Sequence, residues 1–308
     1  MVVTADGYDD DAVAAAVHRH ALKEVASDSW VQADLEGEPW NGKSAVFSPR
    51  IASPTAKDSQ KQSPSTETIE ARWRLLQSSR HDGIAQELRL SDSSVGVELI
   101  GALGEPAYWR FADVKQKEQR PDEGANRWEM KTRNRGEDFV HDRLRSLAKI
   151  VSDRNVVAVR EGLLGAELRD EAYKGKRSEE SRTPTGFTKP QFTDSALAWC
   201  ALWGIALFPV VHRLTGPSVT AGALPLGRFT PKELVIPVLV GQYSLARWRV
   251  LIVSAQTHRV FSKESGTARA WLTAHGVRAV IRFPVFVSDN SSAPERYLRS
   301  GVLTVFDS

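Results

Sequence analysis

The sequence is poor in the residues that build disulfide frameworks and metal clusters. Cys200 is its only cysteine, which excludes an internal disulfide and any multi-cysteine zinc or iron–sulfur site. It lies in an apolar run, where a free cysteine behaves as a small buried hydrophobe, and a reducing compartment suits it best. The chain opens Met1-Val2-Val3-Thr4-Ala5-Asp6, without a basic start or an apolar stretch, so no signal peptide is expected. The apolar run 196–211 (ALAWCALWGIALFPVV) contains Pro209 and falls short of the roughly 20 residues that a spanning helix needs. It reads as a buried core helix ended by that proline. A cytoplasmic protein without a membrane partner is the expectation. Also missing are a Gly-rich phosphate loop, an HExxH pair and a G-x-S-x-G elbow. Of the histidines, only His18 and His20 are close in sequence, and a spacing of two puts them on different faces of a helix. They read as solvated. No cofactor and no bound metal is expected, and the sequence displays no recognisable active site.

What is present is an ordinary globular balance. Hydrophobic residues make up 41% and charged residues 26% of 308 positions, enough for a sizeable core in one large domain or two modest ones. The net charge of +3 is unevenly placed: from His212 onward 12 Lys/Arg face 5 Asp/Glu, a balance of +7 that leaves −4 for the rest. A basic C-terminal third points to an anionic partner.

The patterning predicts an α+β fold, with a helix-rich N-terminal two-thirds and a smaller C-terminal β-α-β region. Residues 1–47 form an N-terminal segment with one helix over Asp9–Ala26. Residues 48–68, rich in Ser, Pro, Lys and Gln, read as a linker or loop. Residues 69–211 form a helical region. Its clearest amphipathic helix is Glu137–Val151, where Val140, Leu144, Leu147, Ala148 and Val151 make the apolar stripe and Arg143, Arg145 and Lys149 fall to solvent. A shorter helix over Asn155–Leu164 follows, then a polar connection over Tyr173–Pro190. Asp194 or Ser195 can cap the apolar helix. Residues 212–308 form a basic α/β region. Leu234–Val240, Trp248–Val253, Val277–Val287 and Val302–Phe306 read as strands, and Thr267–His275 reads as a helix stopped at Gly276. Pro284 places its strand at an edge or a bulge.

One segment mixes basic and aromatic residues: Arg127-Trp128-Glu129-Met130-Lys131-Thr132-Arg133-Asn134-Arg135, just after Tyr108-Trp109-Arg110-Phe111. Arginine pairs with phosphate in a bidentate fashion and tryptophan stacks on exposed bases, the mixture that single strands require. Arg127, Lys131, Arg133 and Arg135 are the candidate phosphate contacts and Trp128 the candidate stacking ring; a solvated turn with Trp128 packed as an anchor is the bland alternative. A second basic set comprises Arg247, Arg249, Arg278, Arg282, Arg296 and Arg299, of which Arg278 and Arg282 share one face of their strand and can line a groove. Glu129-Met130-Lys131 also has the E-x-K form of metal-dependent nucleases, with Asp113 or Asp122 as a possible second acid.

The segments WEMKTRNRGEDFV, SRTPTG and DSALAWCALWGIALFPVVH resemble parts of large or accessory subunits encoded with actinobacterial type I CRISPR systems of the I-G (formerly I-U) kind. The resemblance spans roughly Gly101 to Val287. It implies a non-catalytic member of an RNA-guided, DNA-binding complex, touching RNA, DNA or neighbouring subunits through basic residues. The leading expectation is therefore a nucleic-acid-binding subunit with RNA or DNA and other protein subunits as partners. A metal-dependent nuclease using Glu129 and Lys131, and a scaffold without nucleic-acid contact, are the alternatives.

Overall fold

Asp9 starts the first helix, α1 (Asp10–Val25), by accepting the Ala12 N–H at 2.8 Å, and Asp10 and Asp11 follow in a turn whose dipole favours acids. The computed structural model describes residues 8–32, 78, 81–89, 94–102, 109–111, 119–121, 128, 138–172, 192–211, 219–225, 231–263, 265–289 and 296–306. The segments read as connections, 48–68 and 173–190, lie outside the described residues.

Helices dominate the N-terminal part: α1, α2 (81–89), α3 (Val95–Ala102), a π-helical stretch (Asp138–Leu144) running into α4 (Arg145–Asp153), α5 (Val156–Leu164) and α6 (Ser195–Trp203). Their shared core joins Ala14 and Ala21 of α1 to Leu99, Phe139, Leu147, Val151, Val159, Trp199 and Leu202. The stripe read from Val140 to Val151 is buried as expected. Arg143 is a correction. It is expected to face solvent, yet it is buried, and burial pushes its pKa down to about 9. Arg143 stands three residues after Val140 and four before Leu147, so at helical spacing it borders the apolar stripe and is drawn in beside it. Arg145 is half-buried, its Nε donating to the Val31 carbonyl at 2.6 Å, while Lys149 is exposed and pairs with Asp153 at 3.3 Å.

The apolar run 196–211 is not one helix. α6 ends at Trp203, a 3-10 turn covers Gly204–Leu207, and Val210–Val211 is a short strand, β3. Asp194 caps α6 by accepting the Ala196 N–H at 2.8 Å. Among the described residues no helix is long and apolar enough to cross a membrane.

Short antiparallel pairs occur at β1 (Trp109–Phe111) with β2 (Gln119–Pro121), and at β3 with β4 (Val219–Thr220). The principal sheet is C-terminal: β5 (Ala223–Leu224), β6 (Glu233–Leu239), β7 (Val277–Val287) and β8 (Arg296–Leu298) in that order, with β9 (Val302–Val305) also paired to β7. All pairings are antiparallel. Between β6 and β7 the chain makes α7 (Leu245–Val253), α8 (Ala255–Arg259) and α9 (Ser265–Ala274), which ends before Gly276 at φ 87°. The α+β architecture expected from the sequence is the one observed.

Two strand expectations need correction. Trp248–Val253 is helical. Ser244 caps α7 by accepting the Arg247 N–H at 3.3 Å, and Leu251 and Ile252 turn into the core. Pro284 is not on an edge strand. β7 is central: it pairs with β6 on one side, and on the other with β9 over 279–282 and β8 over 285–287. Pro284 stands where the second partner changes. Its carbonyl accepts the Arg299 N–H at 2.8 Å, and the N–H it lacks would point into the seam between β8 and β9.

The helical and α/β parts are tied by α7. Arg249 Nη2 donates to Glu98 Oε2 of α3 at 2.5 Å and to the Ala206 carbonyl at 3.2 Å, and Trp248 Nε1 donates to the Leu207 carbonyl at 3.4 Å. The hydrogen bond from Arg249 holds the Glu98 carboxyl below its ordinary pKa.

His18 and His20 are not solvated as read. His18 Nε2 lies 3.2 Å from the Ser152 carbonyl oxygen. His20 packs edge-on against Trp203 at 4.3 Å and beside Trp199 at 5.4 Å. Glu24, one turn on, is fully buried; Ser29 Oγ donates to its Oε2 at 2.5 Å, and Lys23 Nζ and His20 Nε2 each lie 3.5 Å from Oε1. Burial, with Lys23 adding to it, lowers the His20 pKa to about 4, and burial raises that of Glu24. An unfolded His20 binds its proton near pH 6.5, so stability is expected to fall as pH drops from about 6.5 to about 4, by up to about 3 kcal/mol. Glu24 opposes part of this, because its folded form takes up a proton more readily than its unfolded form. Thermal melts across that window check the slope, which His20→Phe should largely remove.

Candidate nucleic-acid interface

The alternation of β7 puts Arg278, Val280, Arg282, Pro284 and Phe286 on one face of the sheet. Register adds Glu233 opposite Pro284, Val235 opposite Arg282, Val302 opposite Arg282, and Tyr297 opposite Phe286. Val235 and Val280 on this face are buried with Leu251, Val260, Ala268 and Leu272, so the helices α7–α9 cover its middle. The arginines lie along the flank of that cover and beyond it.

Arg278 is exposed, and its carbonyl accepts the Phe306 N–H at 2.9 Å. The Arg269 guanidinium of α9 stands 5.9 Å over the Phe306 ring. Arg282 lies 4.8 Å over the Phe261 ring, and its Nε is 3.7 Å from Glu233 Oε1. Arg299, exposed, lies 5.0 Å over the Phe286 ring, and Phe286 stacks on Tyr297 with centroids 4.6 Å apart and planes 28° apart. Both of those rings are half-buried. At about 3.3 Å per residue, the row from Arg278 to Phe286 extends some 26 Å. It runs from Arg278, past Arg282 over the Phe261 ring, to a stacked aromatic pair.

Arg278 and Arg282 do share a face, as the strand period requires. That face is not an open groove: helices cover Val280 between them, and Arg282 is half-buried with Glu233 for a partner. Arg247 and Arg249 of the same basic set belong elsewhere. Arg247 Nη2 donates to the His275 carbonyl at 3.2 Å and its guanidinium lies over Tyr243, while Arg249 is the tie to Glu98.

Trp128 requires a correction as a stacking ring. It is 0% exposed, packed with Ala223 and Leu234 against the reverse face of the sheet and edge-on to Phe208 at 6.1 Å. Its Nε1 donates to the Ala221 carbonyl at 3.1 Å. No ring face is left for a base, so Trp128 is an anchor. Arg127, Lys131, Arg133 and Arg135 lie outside the described residues, as do Glu129, Asp113 and Asp122. Among the described residues no group of three or more His, Cys, Asp or Glu side chains is arranged to hold a metal ion. Cys200, half-buried, has its thiol pKa raised to about 11 by burial.

Sequence reading missed Phe286 and Tyr297, which meet only through the β7–β8 register. The available signal was the Tyr297-Leu298-Arg299 alternation, which sets an aromatic and a cation on one face of a short strand. Compared with known protein families, with curated proteins and with solved structures, the chain gives no match.

Proposed function

We propose that this chain binds a nucleic-acid strand along the β7 row, without catalysing a reaction on it. The observation that carries the reading is the succession of Arg278, Arg282 and Arg299 along one sheet face, beside a partly exposed aromatic pair. Guanidinium groups supply the phosphate contacts that dominate affinity for nucleic acids. Aromatic rings beneath Arg282 and Arg299 hold those two cations in place at low entropic cost. The basic balance of the C-terminal third agrees with an anionic partner. The resemblance in sequence is what supports a place for this binding within an RNA-guided effector complex.

The test is fluorescence anisotropy with labelled single-stranded RNA, single-stranded DNA and duplex DNA over a range of salt. Three phosphate contacts give a salt slope near −2 on logarithmic axes for a single strand, by the rule of about 0.7 per contact. Changing Arg278, Arg282 and Arg299 together to alanine is expected to flatten that slope and to weaken binding at least about tenfold at low salt. A parallel variant with Arg127, Lys131, Arg133 and Arg135 changed to alanine measures what the tryptophan-anchored segment adds. Absence of binding to all three ligands would sink the proposal. A protein-scaffold role would then lead, favoured by the apolar exposure of Val302, Leu303 and Val305 on β9.

A further inference from the structure

The reading above concerns phosphates. The aromatic end of the row bears on the bases, and the inference drawn from it rests on that reading. Phe286 and Tyr297 face each other across the β7–β8 ribbon, in the row next to Pro284 and Arg299. They are stacked rather than edge-on, with an interplanar angle of 28°. The Arg299 guanidinium lies over Phe286. Among the described residues, Phe286 is the only ring that stacks on Tyr297. The other rings near this face, Phe261 and Phe306, pack into the core under α7–α9. The Phe286–Tyr297 pair lies beyond that helical cover and stays half-buried.

We propose that Tyr297 offers its outer ring face to an unpaired nucleobase, so that the strand bound on the β7 row is single-stranded. A base entering there extends an existing stack of guanidinium, phenyl and phenol groups. Arg299, exposed and over Phe286 in the same stack, is the cation beside that base. A duplex keeps its bases stacked on one another and has none to offer a ring on a flat sheet face. Stacking of this kind tolerates any base, since every base has a π-face. The selectivity is therefore for strandedness and not for sequence.

The experiment compares oligothymidylate with an abasic strand of the same length and charge, and with a duplex, at fixed salt. It uses the full chain and its Tyr297→Phe and Tyr297→Leu variants. One stacked base is expected to favour oligothymidylate over the abasic strand about tenfold. Tyr297→Phe should keep that preference, because it keeps the ring. Tyr297→Leu should abolish it while leaving the salt slope unchanged. Circular dichroism confirms that each variant is folded, and the comparison on the unaltered chain stands even if the leucine variant is not. Equal affinity for the abasic strand and oligothymidylate, equal affinity for duplex, or a preference that survives Tyr297→Leu would each overturn the inference while leaving phosphate binding intact. Failure to bind any oligonucleotide overturns the parent reading and this one with it.

Discussion

Asp194→Ala is expected to lower the stability of the protein by about 3–5 kcal/mol, read as a large drop in the urea midpoint by circular dichroism. The size follows from what one carboxylate does. Its two oxygens accept Arg154 Nη1 at 3.0 and 3.2 Å, the Arg169 N–H at 3.0 Å and the Ala196 N–H at 2.8 Å. Arg154 is only 8% exposed. Its other partners are Glu171, bonded to Nε and Nη2 at 2.9 and 2.5 Å, and the Arg169 carbonyl at 2.8 Å. Removing Asp194 leaves a buried guanidinium half compensated, which costs far more than the pair itself contributes. It also uncaps α6, worth about 1 kcal/mol. Asp194→Asn separates the two effects: an amide oxygen still caps the helix, but Arg154 loses the one of its two carboxylates that is buried beside it. Gly162 belongs to the same arrangement. A Cβ built there would stand 2.2 to 2.6 Å from the Asp194 carboxyl group, so Gly162→Ala must push it off Arg154.

Trp128→Ala should cost about as much, roughly 3–5 kcal/mol, because a fully buried indole leaves a large cavity that the sheet cannot collapse into. It also strands the Ala221 carbonyl. Trp128→Phe keeps most of the packing and gives up the 3.1 Å hydrogen bond, an expected loss of about 1 kcal/mol plus the smaller ring's packing deficit. The phenylalanine variant should bind oligonucleotides as the unaltered chain does, which separates anchoring from base stacking. A large loss of affinity in a fully folded Trp128→Phe protein would argue that the indole contributes to the ligand after all.

The fold was legible where one period dominated. The β7 strand reads from Val277 to Val287 because its alternation is long, and it is observed over those same residues. α1 and α5 read correctly because acids, Asn155 and apolar spacing agree at their starts. The failures are physical too. Trp248–Val253 is a β-branched apolar run, and its helix is set by a serine cap and a core on one side, which composition does not display. Arg143 was misplaced because its charge outweighed its spacing: it stands three residues after Val140 and four before Leu147, at the edge of the buried stripe. The site fared worse than the fold. Trp128 looked like a ligand-facing aromatic because its neighbours are basic, but its partners lie about Ala221 and Leu234, far along the chain. Phe286 and Tyr297 meet only once β7 and β8 are paired, and the sequence between them carries no turn motif that fixes that register. A stack of this kind is a property of register, and register is invisible until both strands are in place.

The change of partner at Pro284 divides β7 mechanically. Up to Arg282 the strand is clamped between β6 and β9 and carries the helices on its back. Beyond Pro284 it pairs with β8 over 285–287, while the Val285 N–H still donates to the Lys232 carbonyl at 2.8 Å, and the proline contributes no amide on the β8–β9 side. The row is therefore built on two different second pairings, β9 beside Arg282 and β8 beside Phe286, so a substitution that loosens β8 should displace the aromatic pair and leave Arg282 in place.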